Sequence, residues 1–249
     1  LNGKHAIRSY YTMPVWAKDA DKFYFYDNQY RLYEYDIETG KYKYIDSLFG
    51  QNLVMVSKLG NVFYIRNNKE IVRMSPDYTK EVVGTLPPDM NIGAVGLLQV
   101  NDDESYLSVE ITENSSTEFD VTRKKRIPVM DINTGEWDLR YIYGFDTKIY
   151  APDHMNLNPN PAYSNLVAFA HEGTGDNGEG NPERIWLLDR DTGEYVNIFK
   201  QKMSYDNVPA ETVGHEAWMQ SGELMMFANS SRTTPGGITL FKLDGSDRR

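Results

Sequence analysis

KFYFYDNQYRLYEYDIETGKY, residues 22–42, holds two short aromatic runs, each closing on an aspartate. Runs so rich in Tyr and Phe favour strands over helices. The second run leads into Asp36-Ile-Glu-Thr-Gly40. An aspartate there can cap a tight turn through its own side chain, and the glycine supplies the positive φ the turn needs. The stretch therefore reads as strand, turn, strand and Asp-capped turn.

The same design recurs along the chain. NVFYIR (from Asn61), SYLSVEI (Ser105), NLVAFAH (Asn165) and ELMMFAN (Glu223) repeat the first strand. EIVRMSPDYTKEV, KRIPVMDINTGEW, ERIWLLDRDTGEY and ITLFKLDGSDR repeat its partner. The Asp-x-x-Thr-Gly turn returns at Asp131 and Asp189, with related turns at Asp77 and Asp244, at intervals of roughly 40 to 60 residues. Repeats of that length, built from short strands, are the signature of a β-propeller of four-stranded blades. A β-sandwich would leave the repeated Asp-turn ends unexplained. No segment carries a sustained 3.6-residue apolar period, so the fold class is all-β, with five blade units visible.

The bulk numbers bound the function. The chain has 249 residues with a net charge of −10, which argues against a general nucleic-acid or anionic-membrane binder. An anionic ligand would need a local positive device, a metal ion or an Arg/Lys cluster. There are no cysteines, which excludes disulfides, thiolate metal sites and a Cys nucleophile. No apolar run reaches the ~18 residues of a membrane span. The chain opens on Leu1 instead of Met, so a preceding segment, including a removed signal peptide, is expected as an open alternative.

Only four histidines are present, and their placement is ordered. In a blade the inner strand starts near the central channel on one face, and the second strand returns to that face. His154 is expected just before the inner strand of the fourth unit, His171 at the end of its second strand, and His215 opening the inner strand of the fifth. His5 takes the equivalent place in the first unit. One histidine at a strand end is ordinarily a structural residue; four in equivalent places point to a site. Neutral imidazole is both the commonest transition-metal ligand and the best base near neutral pH, and zinc, manganese or nickel are all chemically suitable. The loop EGTGDNGEGNPER after His171 is acidic and lacks a strand-loop-helix context, so it reads as a loop over the site and not as a phosphate cradle. Arg184, just after it, can clamp a carboxylate bidentately or pair with a neighbouring acid.

Taken together, SYYTMPVW, HMNLNP, FAHEG, ERIWLLDRDTGE and VGHEAW resemble the oligogalacturonate lyases, a pectin-degrading family built on a seven-bladed propeller. The family shows His-x-Gln-x-x-Pro, His-Glu-Gly-Pro-Trp, Asp-Arg-Ile-Trp and Gly-His-Glu-Phe-Trp in this order. The resemblance implies β-elimination on short galacturonides, giving a 4-deoxy-5-keto-uronate, with a manganese-like divalent ion on the uronate carboxylate and a histidine removing the C5 proton. By motif it makes His171 the base and His215 a metal ligand. Lys148 and Arg184 become candidates for the assisting basic residue, and His154, Asn156, His5 and Arg8 the expected substrate contacts. It also implies a cytoplasmic setting, where short imported oligomers are processed. Asn156 stands where the family has Gln, Thr174-Gly175 where it has Pro-Trp, and Glu183 where it has Asp. The family's later Gln-x-x-His-x-His metal segment has no counterpart before Arg249. The expectation is thus a single propeller domain over residues 1–249, incomplete at its C-terminus. Two other readings stay open: a non-catalytic propeller binding an oligosaccharide or protein on the same face, and a TolB-like or peptidase-associated propeller. The absence of a Gly-x-Ser-x-Gly elbow weakens the peptidase version.

Overall fold

The computed structural model describes residues 6–7, 13–66, 68–88, 90–92, 97–113, 126–141, 152–171, 185–199, 211–231 and 236–247. Strands dominate them. β1 (Ala6–Ile7), β2 (Lys22–Asp27), β3 (Arg31–Asp36) and β4 (Lys41–Ser47) form one antiparallel sheet in chain order. β5 (Val54–Val56), β6 (Val62–Ile65), β7 (Glu70–Met74) and β8 (Lys80–Thr85) form the second. β9 (Met90–Ile92) pairs with β12 (Ile111–Glu113), a small two-stranded addition that the repeat pattern did not announce. β10 (Gln99–Val100), β11 (Tyr106–Ser108), β13 (Arg126–Asp131) and β14 (Trp137–Tyr141) make the third four-stranded sheet.

The fourth sheet orders β15 (Pro152–Leu157), β16 (Leu166–His171), β17 (Ile185–Asp189) and β18 (Tyr195–Phe199). A 3-10 turn at Pro161–Tyr163 sits between its first two strands. In the fifth, β19 (Glu211–Trp218), β20 (Leu224–Ser231) and β21 (Gly237–Lys242) give three strands among the described residues, not four. No helix of the described residues is long and apolar enough to cross a membrane.

The turns form as their residues dictate. Thr39 N–H donates to Asp36 Oδ1 at 2.8 Å, Asn133 N–H to Asp131 Oδ1 at 2.8 Å, and Asp191 N–H to Asp189 Oδ1 at 2.9 Å. Asp77 and Asp244 accept in the same way from Thr79 and Ser246. Gly40 closes its turn at φ +65°, a conformation that strains any side chain with a Cβ. The turn joins the third strand to the fourth in the first, third and fourth sheets.

The chain divides into two compact units, residues 1–114 with 128–138, and residues 115–127 with 139–249. In the first unit, Tyr24, Tyr26, Leu32 and Ile45 of the first sheet pack with Val54, Val56, Val62, Tyr64, Val72 and Met74 of the second. The tyrosine hydroxyls are not stranded in that core. Tyr24 donates to Glu34 at 3.0 Å and Tyr64 to Asp46 at 2.9 Å, which satisfies otherwise costly buried groups. In the second unit the core joins Ala168, Ile185, Ile198 and Phe199 of the fourth sheet to Val213, Met225, Phe227 and Phe241 of the fifth. Phe199, Phe227 and Phe241 form a ring cluster with centroids 4.4 to 5.5 Å apart. Burial of this kind, at ~25 cal/mol per Å² of apolar surface, is what holds sheet on sheet.

Candidate active site

Two strands of the second unit are interrupted in the same way. In β15, Asp153 pairs with Ala170 and Asn156 with Ala168, so His154 and Met155 together face Phe169. In β19, Gly214 pairs with Ala228 and Ala217 with Met226, so His215 and Glu216 together face Phe227. Each is a bulge with one extra residue, and its first residue is a histidine at positive φ, +44° for His154 and +56° for His215. Bulges of this kind ordinarily place glycine there, because an L side chain is strained in the left-handed region by ~1–3 kcal/mol. Histidine tolerates that region better than most residues, but twice in equivalent places is a device and not an accident. Phe169 and Phe227, opposite the bulges, are both buried and hold the second strands in place.

His154 was expected just before its strand and His215 at the opening of its own; both lie inside them. His154 is the third residue of β15 and His215 the fifth of β19. The reason is the bulge itself. It breaks the alternation of side chains that marks a strand in sequence, while backbone pairing continues on either side.

The two bulged strands are tied together. Asn156 Nδ2–H donates to the His154 carbonyl at 2.7 Å, which steadies the first bulge. Trp218 Nε1–H, from β19, donates to the Asn156 carbonyl at 2.9 Å. Asn158 Nδ2–H reaches the Gly222 carbonyl at 2.9 Å. Gly222 has φ +74°, and a Cβ there would stand 2.2 Å from Asn158 Oδ1, so only glycine admits this lock. Finally, His154 Nδ1 lies 3.5 Å from Glu216 Oε1, with the Glu216 side chain fully buried. His215 is exposed.

His171 ends β16, its Cα paired with Pro152, two residues before His154. The structure thus gathers His154, Asn156 and the end of β16 at one edge of the fourth sheet and joins that edge to the His215–Glu216 bulge of the fifth. Asn156, expected to meet substrate, is buried with its amide on the bulge carbonyl. His5, Arg8, Lys148 and Arg184 lie outside the described residues, as does the loop at 172–184. Glu216 was not among the expected site residues. Its signal was there to be read: a charged residue directly after a histidine, in a strand whose neighbours are apolar.

No family model matches the chain, and no curated protein sequence matches it. Solved structures do. An oligogalacturonate lyase in complex with manganese superposes over 99% of this chain with a TM-score of 0.78 and 17% identity. An oligogalacturonate lyase from Vibrio parahaemolyticus follows over 97%, with a TM-score of 0.71 and 18% identity. The fold is a β-propeller. The chain spans 66% and 64% of those two proteins' own lengths. TolB from Acinetobacter baumannii is similar over 94% of the chain at a TM-score of 0.51 and 17% identity. At these identities the likeness establishes the propeller fold. The ordered four-stranded sheets are its blades, and β15 and β19 come first in their sheets, the position that a blade's inner strand takes.

Proposed function

We propose that the chain carries part of the active face of an oligogalacturonate lyase acting on short galacturonides. The observation that carries this reading is the pair of equivalent histidine bulges on adjacent inner strands, tied together through Trp218, Asn156 and Glu216. Their motifs occur in the order that the lyase resemblance requires. In this reading His171 removes the proton on C5 of the uronide. The C5–H electron pair forms the C4–C5 double bond, the C4–O bond breaks, and the leaving oxygen takes up a proton. That C–H is weakly acidic beside a charged carboxylate, so a positive group must offset the charge. Arg184 and Lys148 are the candidates for it. His154, His5 and Arg8 are assigned to substrate binding, with Asn156, buried on the His154 carbonyl, shaping the bulge that presents His154. The cytoplasm is the setting that this substrate suggests.

A divalent ion is the cofactor implied by the resemblance, with His215 as its ligand. Among the described residues no three His, Asp or Glu side chains come together to hold a metal. One imidazole does not make a stable site, since tight binding needs several ligands at once. The described residues therefore do not fit a closed metal site, and no step is routed through one. Elemental analysis of the 249-residue chain is expected to find weak or no retention of manganese; tight stoichiometric metal would overturn the assignment of ligands.

The test of the reading is ultraviolet absorbance of the unsaturated product when full-length protein meets digalacturonate, with and without manganese. Rising absorbance supports the lyase. Saturable binding of the sugar without turnover would favour the second reading, a binding propeller, which the structural likeness to TolB supports.

A further inference from the structure

The two histidine bulges differ at their second residue. Met155 holds that position in β15 and is 2% exposed; Glu216 holds it in β19 and is 0% exposed. One molecule therefore contains both an apolar and a charged solution to the same local problem. The apolar one is the cheaper, because an ionised carboxylate out of water is costly unless a partner offsets it. One such partner lies across the two strands: His154 Nδ1, 3.5 Å from Glu216 Oε1. Val213, Met225 and Phe227 of the same sheet belong to an apolar core.

We propose that Glu216 is a positioning residue for His154. Its carboxylate draws the proton of the imidazole to Nδ1 and fixes the ring, so that Nε2 is left as the acceptor for a hydroxyl of a sugar ligand. Which ring nitrogen carries the proton is set by the hydrogen bond the other makes, and a carboxylate on Nδ1 is the usual device for setting it. The 3.5 Å separation is longer than a closed hydrogen bond, as such pairs often are before ligand arrives. The positive φ of His154 serves the same end: the bulge lifts the ring out of the regular alternation, and Glu216 decides where it points. The sugar ligand rests on the lyase reading; the Glu216–His154 pairing does not.

The test uses the full-length protein with Glu216→Met and Glu216→Gln. Methionine is the residue that the equivalent bulge already buries, so Glu216→Met is expected to fold with an unchanged or higher melting temperature. Unfolding would make the carboxylate a structural requirement and overturn the proposal. The first readout needs no substrate. Ring-nitrogen NMR is expected to show His154 protonated at Nδ1 in wild type and largely at Nε2 in Glu216→Met. The same tautomer in both overturns the pairing. The second readout is the split between KM and kcat on digalacturonate. Glu216→Met is expected to raise KM by about 10- to 100-fold with kcat little changed, and Glu216→Gln to fall between. An unchanged KM alongside an altered tautomer overturns the link to the ligand. An inactive wild type sinks the lyase reading alone; weaker galacturonide binding by Glu216→Met in calorimetry then still supports the positioning role, and equal binding overturns it.

Discussion

The inner strand of the second sheet and those of the fourth and fifth follow one plan and differ in one feature. β5 is Val54-Met55-Val56, fully buried, and it pairs with β6 in unbroken register, Val54 to Tyr64 and Val56 to Val62. β15 and β19 pair just as well at their ends but are broken by a histidine bulge. Other bulges in the molecule do not share this chemistry. The first, second and fourth sheets each shift register between their third and fourth strands, at Leu32/Tyr33, Ile71/Val72 and Ile185/Trp186. The extra residue lies on the fourth strand each time, Ile45, Val83 and Ile198, all apolar, and such outer bulges add the twist a blade needs. Outer bulges make the fold. The bulges on the first strands of the fourth and fifth sheets carry imidazoles instead, His154 and His215.

That contrast can be broken at several strengths. The largest expected effect falls on the residue that backs the second bulge. Phe227→Ala removes a buried ring from the Phe199–Phe227–Phe241 cluster and should cost ~3–5 kcal/mol. A chemical-denaturation midpoint near that of wild type would show that the bulge does not depend on its apolar floor.

Next comes the chemistry. His171→Ala in the full-length protein should lower kcat by at least ~10²-fold while binding of digalacturonate changes little. An active wild type whose His171→Ala variant keeps its rate would move the base elsewhere, with His154 the next to test.

The bulge histidines themselves should behave in the opposite way to Phe227. His215→Gly, and His154→Gly combined with Glu216→Met so that no buried carboxylate loses its partner, relieve a positive-φ side chain, so stability should hold or rise by up to ~1 kcal/mol while ligand binding weakens. A clear loss of stability in both would mark the histidines as structural and erase the distinction between inner and outer bulges.

The smallest effect concerns the turns, which belong wholly to the fold. Backbone and hydroxyl donation from Thr39 holds the Asp36 carboxyl below the usual carboxylate range. Asn165 does the same for Asp189, Ser75 for Asp77 and Ser246 for Asp244. A carboxyl whose folded value is depressed stabilises the fold above its unfolded value and loses that contribution as pH falls toward the folded one. Thermal stability should therefore decline on acidification below about pH 4, and replacing the four aspartates by asparagine should flatten that decline. An unchanged acid slope in the variant would place the pH dependence elsewhere.

Much of this molecule was legible in the chain because its determinants are local. Aromatic runs such as KFYFYD and Asp-x-x-Thr-Gly turns specify strands and reversals within a few residues, and their repetition over the chain implies blades. Two of the histidines, His154 and His215, were also legible as a pair, since imidazoles at the same point of two repeats need no coordinates to be noticed. What the chain could not show is how each histidine is held. A bulge is a mismatch between two strands, so it exists only once both are paired, and the alternation around His154 and His215 misreads as a strand end. Glu216 is the sharpest case. In sequence it is one charge among many; only the packing of the fourth sheet against the fifth buries it and sets it against His154. Tertiary structure decides such contacts because they join residues about sixty apart, and the cost of an unpaired buried charge is felt only when water has been removed from both partners.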